Sequence, residues 1–90
     1  MRIVFDPAKD KLNIADHGVS LALARELAWD EALVWLDDRF EYDELRMSGL
    51  VPRNDRLYYV AFVDRGSTRR VISLRFAERR EVKHYVENYS

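Results

Sequence analysis

Leu57-Tyr58-Tyr59-Val60-Ala61-Phe62-Val63, followed by Asp64-Arg65-Gly66-Ser67 and then Val71-Ile72-Ser73-Leu74-Arg75-Phe76, decides the fold class. The first run is apolar on both alternating faces, which suits a strand in the middle of a sheet. Asp64 to Ser67 has the chemistry of a hairpin turn. In the last run, Ile72, Leu74 and Phe76 point one way by strand alternation, and Val71, Ser73 and Arg75 point the other. A central hairpin is expected.

Toward the C-terminus, Val82, Tyr85, Val86 and Tyr89 fall at i, i+3, i+4 and i+7, the spacing of an amphipathic helix. Toward the N-terminus, Pro52-Arg53-Asn54-Asp55 reads as a turn. Glu44 to Val51 reads as a weaker strand broken by Gly49, and Glu31 to Asp37, around Leu33-Val34-Trp35-Leu36, as a further strand. Ser20 caps a short helix through Ala28. Asp6-Pro7 opens an earlier helix, in which Ala8, Leu12 and Ala15 give the apolar spacing and Gly18 the C-cap. Arg2 to Phe5 reads as a short strand. The expected order is β-α-α-β-β-β-β-α. This is an α+β domain with a small antiparallel sheet, packed by helices on one face.

The 90 residues fit one domain, 1–90, and 48% apolar residues are enough to build a core. That core is small, so modest stability or support from a partner is expected. Cysteine is absent, which removes disulfides, thiolate metal sites and cysteine nucleophiles. No apolar run approaches the roughly 20 residues of a membrane span, and the opening Met1 to Asp6 lacks the apolar region of a signal peptide. A soluble, cytoplasmic setting is expected. The net charge of −1 hides two opposed segments. Glu26 to Glu44 holds eight acidic residues against one basic, and Arg65 to His84 holds seven basic against two acidic. Six of those seven bases are arginines, suited to bidentate contact with phosphate. Such a stripe fits nucleic acid, an acidic partner, or the chain's own acidic segment, and composition does not choose.

Chemistry concentrates near the C-terminus. Ser73 and Arg75 share the polar strand face, beside Arg79 or Arg80 at the start of the last helix. Arginines held this way can bind phosphate and stabilise charge that develops in phosphoryl transfer, or can simply be solvated or paired with Glu78 and Glu81. His17 can move a proton at neutral pH, or can complement the helix dipole where it stands. His17 and His84 show no metal-site pattern. The acidic cluster of Asp37, Asp38, Glu41, Asp43 and Glu44 lacks the order and turn glycine of an EF-hand loop. Glycine-rich phosphate loops and nucleophile elbows are absent. Trp29, Trp35, Tyr42, Tyr58, Tyr59 and Tyr85 can stack on bases, but periodic aromatics more often fill cores.

Taken together, three ordered blocks resemble the BrnT family of bacterial type II toxins. The first is Phe5-Asp6-Pro7-Ala8-Lys9 with Asn13 and His17-Gly18-Val19. Trp29-Asp30, Ala32-Leu33-Val34-Trp35 and Tyr42-Asp43-Glu44-Leu45-Arg46 form the second. The third is Arg70-Val71-Ile72-Ser73-Leu74-Arg75, Ala77 and Arg79-Arg80-Glu81. The resemblance spans nearly the whole chain. It implies a RelE-like fold and an endoribonuclease toxin that needs no metal or other cofactor. It also implies a BrnA-type antitoxin that silences the toxin, with operator DNA bound only through the complex. His17, Glu44, Arg46, Arg75 and Arg79 are the expected catalytic residues. Lys9, Arg70, Arg80 and Lys83 are expected to bind RNA. Family members often carry a base before His-Gly where this chain has Asp16, which lessens phosphate attraction there. Two other readings stand beside this one: an antitoxin-binding module without catalysis, and a transcriptional regulator. No basic helix-turn-helix layout supports the regulator.

Overall fold

A computed structural model describes residues 1–37 and 44–89. The chain forms β1 (Arg2–Val4), α1 (Pro7–His17), two 3-10 helices (Leu21–Glu26 and Trp29–Glu31) and β2 (Leu33–Leu36). It continues through β3 (Met47–Arg53), β4 (Arg56–Arg65), β5 (Thr68–Phe76) and α2 (Arg79–Tyr89). One five-stranded sheet runs in the order β1-β5-β4-β3-β2, with β4 at its centre. The mixed α+β class stands.

The sheet is not wholly antiparallel. Strands β2 to β5 pair antiparallel, but β1 lies parallel to β5. Tight two-residue turns at Asn54-Asp55 and Gly66-Ser67 impose the antiparallel direction on β3, β4 and β5. Strand β1 is joined to the rest through a helix, which leaves its direction free. Gly66 adopts φ 57° in its turn, a left-handed conformation that costs other residues energy.

The segment expected as a second α-helix is a 3-10 helix instead, capped as expected by the Ser20 hydroxyl on the Ala22 N–H. In 3-10 geometry positions i and i+3 eclipse, so Leu21 and Ala24 line up with Leu27 just beyond the helix. These three side chains meet Val51, Tyr58, Val60, Phe62, Val71 and Leu74 on one face of the sheet and form the core. Gly49 does not break β3. It sits beneath Phe62, where an added Cβ would come within 3.4 Å of the ring, so its missing side chain makes room for the core.

A bulge changes the reading of β5. Ala61 pairs with Ser73 but Phe62 pairs with Val71, which leaves Ile72 as an extra residue. Val71 therefore joins Leu74 in the core, although simple alternation puts them on opposite faces.

Helix α1 begins and ends as expected, with Asp6 accepting from the Ala8 N–H and Gly18 in the left-handed conformation at φ 73°. Its apolar spacing is not its buried face, since Leu12 is 64% exposed while Asn13 is buried. The reason is the edge of β5 beyond the short β1. The Asn13 amide donates to Leu74 O (2.8 Å) and Val19 O (2.9 Å), and its Oδ1 accepts from Leu74 N (3.1 Å). Backbone groups at an open strand edge need polar partners, and one asparagine supplies both a donor and an acceptor.

Helix α2 lies on the face opposite the core, so helices cover both faces rather than one. Its Tyr85 and Tyr89 hydroxyls donate to the carbonyls of Glu31 (2.6 Å) and Asp30 (3.2 Å). Burial, together with nearby Tyr89 and Glu31, pushes the Tyr85 phenol up and keeps it a neutral donor. Among the described residues, no helix is long and apolar enough to cross a membrane.

Candidate active site

Strand register defines the second face. Trp35, Ser48, Ala61 and Ser73 form one row across β2 to β5, and Leu33, Leu50, Tyr59 and Arg75 form the next. The small side chains in the first row leave the surface shallow, and the start of α2 walls one end. A cavity of about 410 Å³ lies there, floored by Ser48 and Tyr59 and bordered by Trp35, Leu36 and Asp37. Arg75, Arg80 and Glu81 complete its lining.

Of the two settings the sequence allowed for Arg75, solvated or paired with a nearby glutamate, the structure shows the pair. Its guanidinium lies 4.3 Å from the centre of the Tyr59 ring and donates to both carboxylate oxygens of Glu81, at 2.8 and 3.0 Å. The same Glu81 oxygen that takes Arg75 Nη1 accepts from the Glu78 N–H at 2.8 Å, which caps the first turn of α2. Tyr59 shares a hydrogen bond of 2.7 Å with the Ser48 hydroxyl. The Glu81 hydrogen bond, larger than the opposing effect of burial, raises the Arg75 pKa above its ordinary value. Burial pushes the Glu81 carboxyl up, but the hydrogen bonds from Arg75 and Glu78 and the charges of Arg75 and Arg80 hold it below its usual range. Both groups stay charged at neutral pH. Arg80 points outward, its side chain 86% exposed and loosely paired with Glu78 at 3.3 Å.

A second cluster includes Arg46, which immediately precedes β3 and stands two residues from Ser48. Arg46, Arg70 and Lys9 border a small cavity there with Asp6, Val71 and Ile72. Glu44 binds Arg70 at 2.7 Å and also pairs with Arg65. Lys9, Asn13 and His17 follow at i, i+4 and i+8, so they share one face of α1 along the edge of β5. His17 is exposed at the end of that helix, about 12 Å of helix rise from Lys9.

The expected site residues therefore divide. Arg75 and Arg80 line the larger cavity, with Arg79 beside them at the start of α2. Lys9, Glu44, Arg46 and Arg70 form the second cluster. His17 and Lys83 stand exposed on their helices. Asp38, Glu41, Tyr42 and Asp43 lie outside the described residues. Of the aromatic residues, Tyr58 is in the core and Trp29 packs against it, whereas Trp35 and Tyr59 face the cavity. Sequence reasoning gave Ser48 no role and offered Glu81 only as a possible partner for an arginine. Ser48, Tyr59 and Arg75 come together only through the strand register.

A family model described as "Ribonuclease toxin, BrnT, of type II toxin-antitoxin system" matches residues 5–81. The chain belongs to the BrnT family. Comparison with curated proteins finds no match. Membership in BrnT makes this a ribonuclease toxin of a type II system, with an antitoxin as its partner. The matched stretch contains both clusters and ends at Glu81, the residue that clasps Arg75.

Proposed function

We propose that this BrnT chain is a metal-independent endoribonuclease with a RelE-like layout, in which RNA lies along the second face of the sheet beside β5. The observation that carries this reading is the pair of cationic clusters on one shallow surface. Arg75 and Arg80 stand at one end, and Lys9, Arg46 and Arg70 at the other. RNA brings its own nucleophile, the 2′-hydroxyl, so the protein needs to move protons and stabilise charge. Arg75, held rigidly by Glu81 and Tyr59, meets the charge that develops on the scissile phosphate, aided by Arg79 and Arg80. Lys9, Arg46, Arg70 and Lys83 hold flanking phosphates. Glu44 spends both oxygens on Arg65 and Arg70, which suits it to orienting those arginines. His17 is assigned the proton transfer, since imidazole serves as acid or base near neutral pH.

Growth arrest follows from loss of translatable RNA. A BrnA-type antitoxin silences the toxin by covering the same face, and the complex represses its own operon through the antitoxin's DNA-binding part. The test is cleavage of RNA by the purified chain in the presence of EDTA. Products ending in 2′,3′-cyclic phosphate are expected. His17→Ala is expected to slow cleavage about 10²–10⁴-fold as a proton-transfer loss, and Arg75→Ala about 10²–10³-fold as a charge-stabilisation loss. Cleavage that stops in EDTA, or products that end in 3′-hydroxyl, would refute the mechanism.

A further inference from the structure

Resting on the ribonuclease reading, we propose that the cavity beside Trp35 is a nucleobase pocket that takes one unpaired base of the RNA. Its volume of about 410 Å³ falls at the small end of the range that holds small ligands, roughly 300–1,000 Å³. The walls differ in chemistry in the way a nucleotide does. Trp35 supplies an aromatic surface, 38% exposed, with its ring centre 6.3 Å from that of His84 in an edge-to-face arrangement. Arg75, clasped by Glu81, and the largely exposed Arg80 also line it, with Asp37 and Glu81 beside them. A base has a π-face for the indole, and its phosphate has charge for the arginines.

The floor is preorganised. Tyr59 is fixed from one side by the Ser48 hydroxyl and from the other by the Arg75 guanidinium, so the pocket need not be ordered on binding. Trp29, the other tryptophan, has no such role. Its ring meets Phe62 edge-on, and its indole N–H donates to Ala24 O at 2.8 Å. A base inside a duplex is stacked and paired, so the pocket requires an unpaired one.

The experiment follows the two indole N–H resonances in ¹H–¹⁵N spectra of the full chain, assigned with Trp35→Leu. The probes are 5′-AMP, 5′-GMP, 5′-CMP and 5′-UMP, with ribose 5-phosphate as the control that lacks a base. At least one nucleotide is expected to shift the Trp35 resonance and leave Trp29 in place, binding about tenfold more tightly than ribose 5-phosphate. Trp35→Leu is expected to abolish that preference while the remaining spectrum keeps its folded dispersion. Equal affinity for ribose 5-phosphate and all four nucleotides, or a stationary Trp35 resonance, overturns the pocket. RNA cleavage by the same wild-type sample is scored separately. Cleavage with a stationary Trp35 refutes the pocket and keeps the ribonuclease, whereas nucleotide binding without cleavage keeps the pocket and refutes the ribonuclease.

Discussion

Asn13 and Glu81 each satisfy several partners with one side chain, and both are open to direct test. Removing the Asn13 amide leaves Leu74 N–H and C=O without their partner in a buried setting. Asn13→Ala is expected to lower stability by about 2–4 kcal/mol, since an orphaned buried polar group costs about 1–3 kcal/mol. Urea unfolding with an unchanged slope and a lower midpoint measures this. Asn13→Asp is expected to be at least as harmful, because it sets a carboxylate against the carbonyls of Leu74 and Val19. For Glu81, folding lowers the pKa, so the unfolded chain takes up the proton more readily. Its contribution is therefore present above the unfolded carboxyl value of about 4.3 and is lost as pH falls through the folded value. Wild-type stability is expected to fall more steeply between pH 5 and 3 than that of Glu81→Gln, which has no proton to gain. Identical slopes would remove Glu81 from the account.

At the level of elements, α2 is attached to the sheet through few contacts, and Arg75 makes the central one. The guanidinium and carboxylate, only 27% and 17% exposed, are screened less by water than a surface pair. Arg75→Ala is expected to cost about 1.5–3 kcal/mol, the range for hydrogen bonds to charged groups. It should also release the first turn of α2. Hydrogen exchange of the α2 amides locates the effect, with faster exchange there and little change in β4. Unchanged α2 protection would show that the tyrosine hydrogen bonds to Glu31 and Asp30 hold the helix unaided. The β4–β5 hairpin gives a second case. Gly66→Ala must keep φ near 57° and is expected to cost about 1 kcal/mol by thermal unfolding, with open space around it ruling out a clash with the rest of the fold.

Across the whole molecule, the opposed charge segments partly neutralise each other. Glu44 of the acidic segment binds Arg65 and Arg70 of the basic one, and Glu26 reaches Arg53. Within or beside the basic segment, Arg69 pairs with Asp64 and Arg75 with Glu81. The third partner left open by composition, the chain's own acids, therefore takes several arginines. Among the described residues Arg79 and Lys83 make no ion pair and Arg80 only a long one, which leaves the start of α2 as the electropositive approach to the cavity. An antitoxin segment rich in carboxylates fits that approach, and complementary charge acts mainly on the association rate. Association is expected to slow as salt rises from about 50 to 500 mM, where the Debye length falls about threefold. Dissociation should change less. Stopped-flow mixing measures both, and an association rate indifferent to salt would place the antitoxin elsewhere.

The sequence by itself determined the pieces that act over a few residues. The Asp6 and Ser20 caps, the left-handed Gly18, the two hairpin turns and the two-sided apolar run of β4 all stand where local chemistry puts them. Each rests on bonds or periodicities spanning two to four positions, which side-chain type alone specifies. Only the tertiary structure decided which face each piece presents. The bulge at Ile72 moved Val71 into the core, the open edge of β5 turned α1 onto Asn13 rather than Leu12, and α2 went to the face opposite the core. The site has the same origin. Arg75 and Glu81 are near in sequence, but Tyr59, Ser48 and Trp35 reach them only through strand register, as Asn13 reaches Leu74 across 61 positions. Register is set by the joint burial of many side chains, and no single segment contains that information.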